Sequence, residues 1–150
     1  LAFSQMPLSE GQPANSAEFA YLPGIASAEW TYDSDLNLYR RSVLGQAHTD
    51  ALTGKQLTAA NVIVLYANHV DTTILEDLVG GGHYSIEIQL WGEGPAQIIR
   101  DGQVFDRIWK RWARQDMLSF FDKAGNPLPL KPGNSWFQVV PLDFQANIQP

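Results

Sequence analysis

The chain has 150 residues, 45% hydrophobic, 17% charged and 11% aromatic, with twelve Gly, nine Pro and five Trp. That length suits one domain, and the ordinary apolar fraction argues against intrinsic disorder. Ten Lys and Arg against sixteen Asp and Glu leave a net charge of −6, which gives no global attraction to nucleic acid or anionic membrane. With no cysteine, disulfides, zinc–thiolate sites, iron–sulfur clusters and thiol nucleophiles are excluded.

The first seven residues, Leu1 to Pro7, lack the basic start and long apolar run of a signal peptide. A Leu in place of an initiator Met points to an excised piece of a longer protein. No run approaches the ~20 apolar residues that cross a bilayer, so any membrane anchor is expected outside this chain. Residues 7–16 are rich in Pro, Gly, Ser and Asn, a linker composition. Residues 1–16 are therefore expected to form a linker or the tail of a preceding domain, with 17–150 as one β-rich domain.

From there the apolar period is mostly two. Phe19 and Tyr21 alternate with Glu18 and Ala20, and Ala28, Trp30 and Tyr32 alternate with Glu29 and Thr31. Residues 61–67, Asn-Val-Ile-Val-Leu-Tyr-Ala, read as a strand buried on both faces. Tyr84, Ile86, Ile88 and Leu90 share one face of a strand whose other face carries Ser85, Glu87 and Gln89, the pattern of a half-buried antiparallel sheet. Residues 97–100 and 103–105 flank Asp101-Gly102, a pair suited to a two-residue type I′ hairpin turn. Residues 135–140 form a last strand, stopped by Pro141. Two segments have helical alternatives. Residues 71–79 are barely two turns long, and in 106–115 Ile108, Trp109, Trp112 and Ala113 share a helical face, although alternation also fits its first half. The fold class is mainly β, an antiparallel sandwich or barrel-like sheet with at most one or two short helices.

Few motifs carry chemistry. His48-Thr49-Asp50 and His69-Val70-Asp71 are two His-x-Asp pairs, and on a strand each pair aims an imidazole and a carboxylate to one side. Brought together they would suit a metal-assisted hydrolase, but Asp50 also precedes a Thr-Gly turn, where Asp caps backbone amides. No Gly-x-Ser-x-Gly elbow or phosphate loop accompanies the serines or the Gly80-Gly81-Gly82 run. No catalytic residue, metal ligand or cofactor is assigned. The one basic aromatic cluster is 107–114, Arg-Ile-Trp-Lys-Arg-Trp-Ala-Arg. Tryptophan faces beside arginine stack sugars or cations and bind carboxylates, whereas a core Trp with cation stems lying over apolar surface is the alternative.

Residues 48–64, from His48-Thr49-Asp50 through Thr53-Gly54-Lys55 to Asn61-Val62-Ile63-Val64, resemble the central stretch of the YerB-like lipoprotein family of bacteria. Gly92-Glu93-Gly94, Arg100-Asp101-Gly102-Gln103-Val104, Trp109, residues 120–126, 129–133 and 136–141 follow in the same order. The resemblance covers about residues 30–141, the C-terminal domain of such proteins. It implies an extracytoplasmic, lipid-anchored protein with an N-terminal domain absent here, and it carries no established activity or catalytic residue.

The expected function is a non-enzymatic binding or interaction module of the cell envelope. The expected ligand contacts are Trp109, Arg111, Arg114, Arg100, His48 and Asp50. The expected partners are an envelope glycan, peptide or protein and the N-terminal domain of the same chain, and not nucleic acid. The competing readings are the hydrolase on His48/Asp50 and His69/Asp71, and a domain that only packs against its neighbour.

Overall fold

The computed structural model describes residues 2–22 and 24–150. Two open sheets pack face to face. The larger holds β1 (Gln12–Pro13), β7 (Asn61–Asp77), β9 (Gly92–Arg100), β10 (Gln103–Arg111) and β12 (Ser135–Pro141) in the order β1-β10-β9-β7-β12, with β8 (His83–Gln89) beside β7 and β11 (Ser119–Phe121) beside β10. The smaller runs β13-β2-β3-β4-β5, comprising β13 (Asn147–Gln149), β2 (Ser16–Leu22), β3 (Ala26–Asp33), β4 (Leu38–Val43) and β5 (Gln46–Ala47), and β6 (Thr58–Ala59) pairs with β4. The mainly-β fold is as expected, with two differences. The assembly is an open sandwich and not a closed barrel. It is also not wholly antiparallel, because β12 runs parallel to β7 from Ser135↔Asn61 to Pro141↔Ala67. A parallel pair needs a long crossover, and residues 78–134 supply it through strands and loops.

The first seven residues of β7 anchor both cores. Val62 and Val64 face the smaller sheet, in a cluster with Phe19, Trp30, Tyr39, Ile99 and Val140. Ile63 and Leu65 face away from it, with Ile98, Phe105, Trp109, Phe120 and Leu130. Among the described residues no helix covers that second core; β11 and the segment leading to Leu130 do, and Leu8 packs at its edge. The unbroken apolar run at 62–65 is thus explained by burial on both sides. At the start of β7, the fully buried Asn61 donates from Nδ2 to Lys131 O and to Ser135 Oγ, and accepts from Lys131 N through Oδ1. These bonds hold the incoming strand against its parallel partner.

The turn at Asp101-Gly102 forms as expected. Both residues have positive φ, 53° and 71°, and the β9–β10 ladder zips from Arg100↔Gln103 to Gly92↔Arg111. Both helical alternatives are corrected to strand: 71–77 lie in β7 and 106–111 in β10. The nine-residue partner β9 decides the second case, since its ladder satisfies the backbone of β10 and sends Ile108 and Trp109 to opposite faces. One 3₁₀ turn, Val79–Gly81, is the helical structure among the described residues. Residues 2–16, expected as a tail or linker, lie on the domain here: β1 pairs with β10, Phe3 bridges Leu130, and Ala14 is fully buried.

Beyond Ala67, β7 leaves the sandwich and continues with β8 as a two-stranded arm. The alternation at 84–88 does mark a strand, but its apolar face has no cover. Tyr84, Ile86 and Ile88 are 51%, 57% and 42% exposed, and Leu75 across from Tyr84 is 46% exposed. Period two reports which residues share a face, and not whether anything packs on it.

Gly94 lies directly across from Trp109, and a Cβ added there would sit 2.7 Å from the indole Nε1. Gly94→Ala therefore forces the ring out of its place in the core. Chemical denaturation should show a loss of about 1–3 kcal/mol, the usual cost of overpacking; an unchanged midpoint would mean the ring has room to yield.

Candidate functional site

The candidate site begins where the β9–β10 ladder ends. The last pair is Gly92↔Arg111, so the next residue on each strand, Trp91 and Trp112, emerges at the same edge. Both are exposed, 56% and 68%, and with Arg111 and Arg114 they line a shallow groove of about 270 Å³. A second groove of about 370 Å³ is lined by Arg111 and Trp112 together with Lys110, Asp116, Met117 and Phe121. Trp112 therefore borders both hollows.

Arg111 shapes this rim. Its Nε donates to Asp116 O at 3.1 Å, Nη2 to Arg114 O at 2.6 Å and Nη1 to Leu90 O at 3.3 Å. One rigid fork thus folds residues 112–116 back on β10 and ties them to the end of β8. Asp116 closes the same loop by accepting from Ala113 N at 2.8 Å. Arg111 therefore holds the site in shape, and Arg114 is the exposed cation beside the two indoles. Lys110 adds an ion pair to Glu93 at 3.2 Å, at a solvated position where such pairs contribute little.

The other residues expected at the site lie elsewhere. Trp109 is 2% exposed and donates from Nε1 to Tyr66 O at 2.9 Å, so its ring belongs to the core. Arg100 is fully buried and spends its guanidinium on protein oxygens: Asp101 Oδ2, Pro129 O, Ser4 O and Met6 O. Asp50 caps its own turn, where Oδ1 accepts from Leu52 N, Thr53 N and the Thr53 hydroxyl. These bonds, that of the hydroxyl foremost, hold its pKa below the ordinary value. His48 lies at the edge of the smaller sheet, its Nδ1 against Arg41.

His69 and Asp71 sit on the arm, across from Ile88 and Ile86. Among the described residues no three His, Asp or Glu side chains gather as metal ligands. The hydrolase reading thus lacks its ligand set. Trp91 was missed in sequence because it reads as the end of a strand. The signal that could have found it was the hairpin register itself, which counts back from Asp101-Gly102 to set Trp91 opposite Trp112.

A family model described as "Protein of unknown function (DUF3048) C-terminal domain" matches residues 17–137. The protein named "Putative lipoprotein YerB" in Bacillus subtilis (strain 168) is 30% identical over 113 residues, covering 75% of this chain and 31% of that protein. The crystal structure of the YerB protein from Bacillus subtilis superposes over 100% of this chain and 47% of the solved one, with a TM-score of 0.77 and 25% identity. The chain therefore spans about a third of the curated relative and about half of the solved structure.

The Asp50 turn makes a pH-dependent prediction. A carboxylate whose folded pKa is depressed adds stability that is present above its unfolded value and lost as pH falls through the folded one. Asp50→Ala should therefore melt below the native chain at neutral pH, and the gap should close as the pH drops below about 3.9, the ordinary Asp value. Melting curves across that range check this; a gap that persists in acid would assign the effect to something other than the charge.

Proposed function

The chain belongs to the DUF3048 C-terminal domain family, and from that premise we propose that it is a non-enzymatic binding or interaction module of the cell envelope. The named lipoprotein relative supports an extracytoplasmic, membrane-anchored setting for the full-length protein, with the anchor outside these residues. The observation that carries the binding role is the pair of exposed indoles, Trp91 and Trp112, on a rim that Arg111 stiffens. The other three tryptophans, Trp30, Trp109 and Trp136, are buried or half-buried, and exposed apolar rings gathered in one patch mark an interaction surface.

The geometry favours a ligand with a flat apolar face and polar edges, such as a pyranose ring or an extended peptide. The grooves flanking Trp112 are shallow, so they suit a chain lying across the surface better than a small molecule enclosed on all sides. Trp112 and Trp91 would stack on it, and Arg114 would add a charged hydrogen bond. The arm supports a second, protein-facing contact. Its uncovered stripe at Leu75, Tyr84, Ile86 and Ile88 would pack against the further part that the longer relatives contain, which fits the expected contact with an N-terminal domain.

Two measurements test these roles. Binding of the chain to envelope fractions, and to soluble glycan and peptide fragments of them, should be lost or weakened roughly thirtyfold by Trp112→Ala, the effect of removing a hot spot of about 2 kcal/mol. Full binding by folded Trp112→Ala and Arg114→Ala chains would end the proposal. Sedimentation should show the isolated chain self-associating through its uncovered stripe, and Ile86→Ser with Ile88→Ser should leave a monomer. A native chain that stays monomeric at high concentration would remove the arm as a contact face.

A further inference from the structure

The pairing register sets a row of side chains on a part of the larger sheet that the smaller sheet leaves open. Ile99 and Val104 are partners on β9 and β10, and both pack in the core between the sheets. Directly opposite residues share a face, and that face returns at every second position. The next pairs on it are Gln97↔Asp106, Pro95↔Ile108 and Glu93↔Lys110. Asp106, Pro95 and Glu93 are exposed, so the smaller sheet stops short of them. Tyr66 of β7 and the turn after β12, with Leu142 and Phe144, complete a groove of about 650 Å³ here. It is larger than either hollow beside Trp112.

This groove does not end at Glu93. A further hollow of about 470 Å³ shares Tyr66, Glu93, Pro95 and Leu142 with it and reaches Trp91. Trp91 in turn lines the groove at Trp112. Three hollows joined by shared walls thus make one track from Phe144 to the paired indoles. Gln97 to Trp91 spans at most about 20 Å at the rise of a strand.

The wide end of the track holds a hydrogen-bond chain with a fixed direction. The Tyr66 hydroxyl donates to Gln97 Oε1 at 2.9 Å, and Gln97 Nε2 donates to Asp106 Oδ1 at 3.1 Å. Burial, and then the Asp106 charge, hold the Tyr66 pKa above its ordinary value, so the phenol keeps its proton. Among the described residues this leaves one N–H of Gln97, the lone pairs of the Tyr66 oxygen and Asp106 Oδ2 without a partner. Charge of neither sign gathers. Glu93 pairs with Lys110 at 3.2 Å, and Asp106 shares the groove with Arg107 and Lys123.

We propose that this face binds an uncharged sugar chain, laid along β9 from the groove at Phe144 to the indoles. The inference rests on the binding role proposed above and names its ligand. A hydroxyl both donates and accepts, so it fits a site that offers a donor and acceptors side by side. The apolar face of a sugar ring would lie on Phe144, Pro95 and Ile108, as it would on Trp91 and Trp112. A cationic ligand would meet Arg107 and Lys123, and an acidic polymer would meet Glu93 and Asp106. An extended peptide gains its main-chain bonds at a sheet edge. Here β9 lies between β7 and β10, and both its edges are already in ladders.

The test is a titration of the chain with soluble cellulose and chitin oligomers, each from the monomer to the hexamer, read by calorimetry and tryptophan emission. At least one series should bind, with affinity that rises with length and levels off once the track is filled, and the emission should move to the blue. Asp106→Ala, at an exposed position, should weaken hexamer binding about tenfold, the loss of a charge-assisted hydrogen bond. A hexamer that loses affinity with Trp112→Ala and none with Asp106→Ala would end at the rim; the track is then overturned while the binding role stands. A native chain that ignores both series yet binds envelope peptide fragments through Trp112 overturns the sugar assignment and again leaves the binding role intact. Self-association abolished by Asp106→Ala would give the face to a second copy of the chain and overturn the proposal. The native titration does not depend on any variant folding.

Discussion

The buried guanidinium of Arg100 is the interaction on which the molecule depends. It joins three segments of the chain through four acceptors: its own hairpin turn at Asp101, the loop at Pro129, and the N-terminal segment at Ser4 and Met6. Asp101 in turn pairs with Lys131 at 2.9 Å, and Lys131 donates to Asn37 O at 2.6 Å in the smaller sheet's β3–β4 turn. A desolvated ion pair contributes little net stability when every partner is in place, but removing one partner costs about 3–5 kcal/mol because a bare charge remains inside. The network therefore specifies an arrangement more than it adds to stability. It locates loops that have no helix to cover them, and through them it closes the outer core over Ile63, Ile98 and Trp109.

That closure separates a rigid body from what projects out of it. Within the sandwich, β7 packs on both faces; past Ala67 the same strand carries exposed apolar side chains on a two-stranded ribbon. An isolated ribbon is marginal in water, so the arm is held at its base and is least supported at its tip. The Trp91–Trp112 rim lies where this base meets the last turn of β10. The Trp91–Trp112 rim and the uncovered stripe of the arm thus both sit at the end of the domain away from the Arg100 network.

How much of this was legible in sequence depended on whether the signal was local. Asp101-Gly102 specifies its own turn because two consecutive positive φ angles select those residues. The run at 62–65 could be read as doubly buried because no polar side interrupts it. The basic aromatic cluster at 107–114 was visible as a cluster, yet its members divide by burial and by where β10 ends: Trp109 goes into the core, Arg111, the last strand residue, turns to loop carbonyls, and Trp112 and Arg114 beyond it reach solvent. The groove at Tyr66 carried no sequence signal at all, since its other walls come from Gln97, Asp106 and Phe144, and only the tertiary fold unites them.

The amino-acid order by itself determined that the chain is mainly strand, where the tight hairpin forms, and membership of the family, because backbone preference, side-chain parity and an ordered series of short motifs are properties of neighbours along the chain. The tertiary structure alone decided which apolar face is covered, which tryptophan is wet, which arginine is buried, and that the closing strand runs parallel to its partner. Burial is a relation between surfaces that are distant in sequence. No local pattern records whether the opposing surface will be there.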